Sequence, residues 1–247
     1  MSLEGRIALV TGASEGIGRG LAMGLARAGA EVFLASRRRQ LLEDVQSEIE
    51  ALGGWAETVE LDVTNLDSIE DARRQVDDRG LDILVNNAAV SVNRDAWEIS
   101  KDEWEVVMNT GPRGVFFCSQ MFGSLMRDRG YGKIINLSST LSQGVVPGAS
   151  VYATSKAAIS HLTRALAVEW ASSGIRVNAI APASTLTPSR LPGMTPEREA
   201  NLTARIPLGR LGTIDDLVPA AVFLAGPESD FITGQTIYVD GGWTARG

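Results

Sequence analysis

Thiol and imidazole groups are scarce in this chain, which has one cysteine and one histidine among 247 residues. A single cysteine, Cys118, excludes an intrachain disulfide framework and fits a reducing compartment. It lies in the apolar run Val115-Phe116-Phe117-Cys118, where a thiol is far more often core than nucleophile. With no Cys/His cluster, no metal centre is expected. His161 falls in a helical pattern and reads as structural or solvated. Basic charge is short as well: 23 Lys and Arg stand against 30 Asp and Glu, a net charge of -7. That balance argues against nucleic acid and anionic membrane as partners. No apolar run reaches membrane-spanning length. The start, Met1-Ser2-Leu3-Glu4-Gly5, has no signal-peptide pattern, so a cytoplasmic location is expected. Repeats, charge blocks and Pro/Ser-rich linkers are missing too. One domain over residues 1–247 is therefore the expectation.

What is present is a 44% hydrophobic chain in which short β-rich runs alternate with longer helical patterns. The runs read as strands are Ile7–Val10, Glu31–Ser36, Ala56–Val63, Leu81–Asn86, Lys133–Ser138, Ile175–Ala181 and Thr236–Val239. Between them, helices are expected over Gly16–Ala28, Gln40–Leu52, Ile69–Asp78, Lys101–Met108, Gly114–Asp128, Ser150–Ala171 and Thr213–Ala225. Apolar strands in a βαβ series predict an α/β fold: one Rossmann-like, doubly wound parallel sheet with helices on both faces. Ligands of such sheets sit beyond the carboxyl ends of the strands.

The first strand runs into Thr11-Gly12-Ala13-Ser14-Glu15-Gly16-Ile17-Gly18. Glycines at Gly12, Gly16 and Gly18 let the backbone turn tightly and approach a pyrophosphate, with Ser14 and Ile17 beside it. The following helix N-terminus supplies N–H donors. An ordinary strand-to-helix turn would not need three glycines. An NAD enzyme usually has an acidic residue at the end of the second strand. Here stand Ser36, Arg37 and Arg38, a hydroxyl and guanidinium groups suited to a 2′-phosphate. NADP(H) is therefore favoured, with NAD(H) open because Glu15 places negative charge in the same turn. Arg39 reads as a solvated helix start. Asp62 and Val63 end the third strand near an adenine position. Asn86, Asn87 and Ala88 end the fourth, where the amides bridge strands, contact the cofactor, or both.

Tyr152-Ala-Thr-Ser-Lys156 places a phenol and an ammonium at i and i+4 of a helical pattern, on one face. A nearby cation favours the phenolate over a tyrosine's usual pKa of about 10. Tyr152 is then a candidate proton donor and acceptor.

Together these segments resemble the short-chain dehydrogenase/reductase family along essentially the whole chain. The resemblance also includes Ser139, Pro182 with Thr187, and the closing Asp240-Gly241-Gly242. It implies a catalytic set of Ser139, Tyr152 and Lys156. Ser139 would orient the substrate oxygen, Tyr152 act as general acid or base, and Lys156 tune Tyr152 and hold the nicotinamide ribose. Thr187 would contact the carboxamide and Ile17 the nicotinamide end. One departure stands out. The family's water-holding asparagine falls seven residues after a tryptophan like Trp104, and here that position is Gly111, in Asn109-Thr110-Gly111-Pro112. Asn109 lies two residues too early, and Pro112 interrupts a regular helix nearby.

Substrate contacts are expected from 90–95, 140–150 and 184–205, with a lid around 187–205. Arg190 and Arg205 are candidates to pair with an anionic substrate, or solvated surface groups. The first functional expectation is an NADP(H)-dependent oxidoreductase interconverting a small ketone and secondary alcohol. A 3-oxoacyl-thioester reductase comes next, because the C-terminal third, Ile206-Pro-Leu-Gly-Arg210 through Asp240-Gly-Gly242, resembles that branch of the family. A non-catalytic nucleotide sensor stands behind both. The resemblance further implies a homotetramer.

Overall fold

The computed structural model describes residues 1–188 and 191–246, so Arg190 lies outside the described residues. Seven strands form one sheet in the order β3-β2-β1-β4-β5-β6-β7. They are β1 (Ile7–Thr11), β2 (Glu31–Ser36), β3 (Ala56–Glu60), β4 (Ile83–Asn86), β5 (Gly132–Leu137), β6 (Ile175–Pro182) and β7 (Thr236–Val239). Every pairing is parallel. The doubly wound sheet is thus as the strand pattern predicts.

Helices cover both faces because the strands bury apolar side chains on both sides. On one face α1 (Gly16–Arg27), α2 (Arg39–Ala51) and α8 (Ile214–Ala225) bring Leu21, Leu25, Leu42, Ile49, Leu217 and Leu224 onto the sheet. On the other, α3 (Leu66–Asp77), α5 (Gly114–Arg129) and α6 (Ser150–Trp170) contribute Ile69, Val76, Phe122, Met126 and Leu166. Local signals set the ends of these helices, and α3 starts at Leu66, ahead of the expected Ile69. Asn65 Oδ1 accepts from the Asp67 and Ser68 N–H groups ahead of α3. Ser100 and Glu103 form a capping box on α4 (Lys101–Met108). Gly130 closes α5 in the left-handed region, φ 67°.

Two expectations shift. The third strand stops at Glu60, not Val63, because Asp62 turns its carboxylate back onto the Thr64 N–H and hydroxyl. The stretch between α4 and α5 stays coiled as a π-helical turn, Asn109–Arg113, with Gly111 alone leaving helical geometry (φ -77°, ψ -109°). Pro112 removes one N–H from the ladder, and the wider turn absorbs it.

β1 lies between β2 and β4, so the chain reverses its direction of travel across the sheet at that point. The crevice at such a reversal is where ligands of open α/β sheets bind.

Candidate active site

A cleft of about 1330 Å³ opens over the carboxyl ends of the strands. Its floor at the reversal is the glycine turn. Gly12 and Gly16 both take positive φ, 67° and 58°. A Cβ on Gly12 would lie 2.9 Å from Asn87 Nδ2, and one on Gly16 would reach Thr187 Cβ at 3.8 Å. Gly18 does not line the cleft. It packs beneath the turn, where a Cβ would run into the Gly12 carbonyl oxygen. The two asparagines divide the roles left open for them. Asn87 Nδ2 donates to the Thr11 and Gly12 carbonyls at 3.0 and 3.2 Å, fixing the turn, and Asn87 lines the cleft. Asn86 Nδ2 is buried and donates to Asn136 Oδ1 (2.9 Å) and Ser119 Oγ (3.0 Å). It joins β4 to β5 and α5.

Ser14, Ile17, Ser36, Arg37, Arg38, Asp62, Val63, Ala88, Pro182 and Thr187 also line the cleft. Arg38 Nη2 donates to Ser14 Oγ at 2.9 Å and lies 2.8 Å from Glu15 Oε1. Burial pushes the Asp62 carboxyl up, but hydrogen bonds from Thr64 and the charge of Arg37 outweigh it and hold the group below its usual range. This turn fits a dinucleotide: the glycine positions leave room a side chain would fill, and guanidinium groups stand at the 2′ end.

Ser139, Tyr152 and Lys156 meet on the far side of the same cleft. Tyr152 and Lys156 share a face of α6, with Lys156 Nζ 5.6 Å from the Tyr152 ring centroid. Lys156 is 3% exposed, and its Nζ donates to the Leu137 carbonyl at 2.6 Å. Burial lowers its pKa to about 8. Strand alternation separates the two serines after β5. Ser138 Oγ donates to the Lys156 carbonyl (3.1 Å) and lies 2.7 Å from Ser160 Oγ, whereas Ser139 Oγ accepts from the Leu141 N–H at 3.1 Å. Gly111 faces α6, where an added Cβ would meet Ser155 Cβ at 3.5 Å.

Some cleft residues escaped the sequence reading. The π-helical turn brings Thr110 to the cleft, and nothing in the local pattern signals such a turn. Arg198, Asn201 and Leu202, inside the expected contact segment 184–205 but not singled out there, line it together with Arg205, which was a named candidate. Their spacing of i, i+3, i+4 and i+7 is a one-faced helical stripe that could have been read from the sequence. They belong to or directly follow α7 (Pro196–Thr203), which Thr195 caps through its side chain.

A family model for enoyl-(acyl carrier protein) reductase matches residues 12–244. The gluconate 5-dehydrogenase of Gluconobacter oxydans is 41% identical over 98% of this chain and 96% of its own length. The chain belongs to the short-chain dehydrogenase/reductase family. As such it is an NAD(P)-dependent oxidoreductase. Another family member, the 3-oxoacyl-acyl-carrier-protein reductase of Thermotoga maritima, is 36% identical over 98% of this chain and 99% of its own length. A solved short-chain dehydrogenase/reductase superposes with a TM-score of 0.96 at 36% identity, over 100% of this chain and 98% of its own. It is a gluconate 5-dehydrogenase from Burkholderia cenocepacia in complex with NADP and tartrate. Among the described residues of the present chain, no helix is long and apolar enough to cross a membrane.

Proposed function

We propose that the chain interconverts a ketone and a secondary alcohol on a hydroxylated carboxylic acid, using NADP(H) as the favoured cofactor and NAD(H) as a second. The convergence of Tyr152, Lys156 and Ser139 with the glycine turn in one cleft carries this reading. The turn at Gly12, Ser14, Gly16 and Ile17, with Gly18 beneath it, would hold the pyrophosphate. Ser36, Arg37 and Arg38 would hold the 2′-phosphate, and Asp62, Val63, Asn87 and Ala88 the adenosine side. Pro182 and Thr187 would meet the nicotinamide end. A nicotinamide dinucleotide bound there supplies or accepts a hydride at the substrate carbon.

The chain's own groups then handle orientation and the proton. Ser139, buried and fixed just after β5, offers its hydroxyl to the substrate oxygen. Tyr152 donates its phenolic proton to that oxygen in reduction and takes it back in oxidation. Lys156, with a pKa of about 8, remains mostly protonated at neutral pH, and its charge favours the anion left on Tyr152. The Leu137 carbonyl holds the ammonium in place.

The hydroxy-acid substrate class rests on two supports. Arg198, Asn201, Arg205, Ser91 and Asn93 line the substrate end, and relatives named as gluconate 5-dehydrogenases reach 41% identity. A 3-oxoacyl-thioester reductase is the second reading, favoured by the Thermotoga relative and by the apolar lining at Leu141, Val146 and Met194. The whole of 1–247 would act as one nucleotide-binding and catalytic unit, with 187–205 as its lid, in a cytoplasmic homotetramer.

Following NADPH and NADH absorbance with a panel of sugar acids, simple ketones and 3-oxoacyl thioesters separates these readings. Sugar acids should turn over fastest and NADPH should be preferred; a thioester preference selects the second reading. Tyr152→Phe should lower kcat by roughly 10²-fold or more, the scale of a lost general acid, while NADPH still binds. Full turnover in that variant overturns the mechanism.

A further inference from the structure

The glycine turn contains a carboxylate that its own helix does not use. Glu15 occupies the N-cap position of α1 with extended backbone (φ -160°, ψ 172°), yet its side chain caps no N–H there. Acceptors are normally favoured at that position, both for capping and for the helix dipole. Glu15 Oε1 instead lies 2.8 Å from Arg38 Nη2. That same nitrogen donates to Ser14 Oγ at 2.9 Å, and the Arg38 backbone N–H donates to Ser36 Oγ at 3.1 Å. All four residues line the cleft at the end of β2. In a dinucleotide fold this is the place of the adenosine ribose 2′ position.

From this arrangement we infer that Glu15 is a specificity-determining residue. It competes with a 2′-phosphate for Arg38 and so narrows the preference for NADP(H) over NAD(H). The inference rests on the cofactor reading given above and adds a discriminating group to it. The ion pair is open to solvent, with side chains 52% and 53% exposed, so it yields to a ligand at little cost. Yielding does not remove the carboxylate. A phosphate dianion that takes Arg38 must stand near the negative charge Arg38 had been neutralising, and that repulsion subtracts from the attraction. A ribose ending in a 2′-hydroxyl carries no charge to repel, and it can donate a hydrogen bond to a carboxylate. Arg37 lines the same end, and its charge also acts on Asp62. Only Arg38 is paired with Glu15.

The test uses ligands that carry the discriminating end and no nicotinamide: 2′-phospho-ADP-ribose and ADP-ribose, titrated calorimetrically into the wild-type protein and Glu15→Gln. The half-exposed, non-capping side chain makes this exchange compatible with folding, which circular dichroism checks. Glu15→Gln should tighten 2′-phospho-ADP-ribose roughly two- to fivefold, the range an exposed ion pair spans, and leave ADP-ribose unchanged or weaker. The NADPH-to-NADH ratio of kcat/KM should rise by the same factor. Equal shifts for both ligands, or no shift for the phosphorylated one, overturn the inference and leave the cofactor reading intact. Wild-type protein that binds neither ligand overturns both.

Discussion

Lys156 sits at a cost to the fold. The residue is 3% exposed, and burial pulls its pKa from the usual 10.5 to about 8. Between those two values the unfolded chain binds the proton more tightly than the folded one. Stability therefore rises with pH from about 8 to about 10.5, and the full penalty is present below pH 8. A shift of this size corresponds to about 3 kcal/mol at neutral pH. Lys156→Met should raise the urea midpoint at pH 7 while removing turnover, and its advantage should shrink as pH climbs towards 10.5. An equal advantage at every pH in a urea titration series would mean that packing, not charge, explains the gain. Lys133, also buried, has its pKa lowered mainly by desolvation and partly restored by Asp230; it adds the same trend to both proteins, so the difference between them isolates Lys156. The spacing of Tyr152 and Lys156 was legible in the chain because one helix carries both. The depth of Lys156 was not, because β5 and the Leu137 carbonyl set it.

Helix α7 and helix α1 show what packing adds to a local pattern. The α7 stripe turns Arg198, Asn201 and Leu202 towards the cleft, and Arg205 follows. Arg205 also lines an adjoining hollow of about 430 Å³ with Gln143, Trp243, Thr244 and Arg246. Arg198 donates to the Gly193 carbonyl at 3.1 Å. Arg205→Gln should raise KM for carboxylate substrates by about tenfold or more, the value of a charge-assisted hydrogen bond, with kcat little changed. A neutral ketone should not register the change in the same steady-state assay. On α1, Gly20 and Gly24 let α8 approach: a Cβ on Gly24 would overlap Val218 Cγ1, and one on Gly20 would overlap Ile214 Cγ2. Gly24→Val should lower stability by about 1–3 kcal/mol through overpacking, read as a drop in the urea midpoint. In the sequence these glycines look like weak points of a helix. Their purpose appears only when a helix about 190 residues further along the chain lies against them.

For the molecule as a whole, the sheet leaves β7 as an edge, paired only with β6 and half-buried along Thr236–Val239. Nearby in sequence Phe231 is fully exposed, and on α6 Val168 is 82% exposed. Large apolar groups left in water by one chain fit burial against another copy. Light scattering should return the mass of four chains, and Phe231→Asp should shift it towards smaller species. A monomeric wild-type protein would remove the tetramer. The overall architecture was readable in advance, since seven apolar strands alternating with amphipathic helices admit few right-handed parallel arrangements. So was the place of the candidate site, because the glycine turn and Tyr152-Ala-Thr-Ser-Lys156 each lie within a single strand-to-helix turn or helical turn and meet in one cleft. Their residue types and spacing alone constrain what they can do. Contacts between distant segments followed a different rule. The pairing of Glu15 with Arg38, the entry of Thr110 through a π-helical turn, the position of Gly18 beneath the turn rather than in the cleft, and the fit of α1 to α8 all depend on where separate elements come to rest. Only packing sets those positions, because no periodicity in one segment encodes its distance from another.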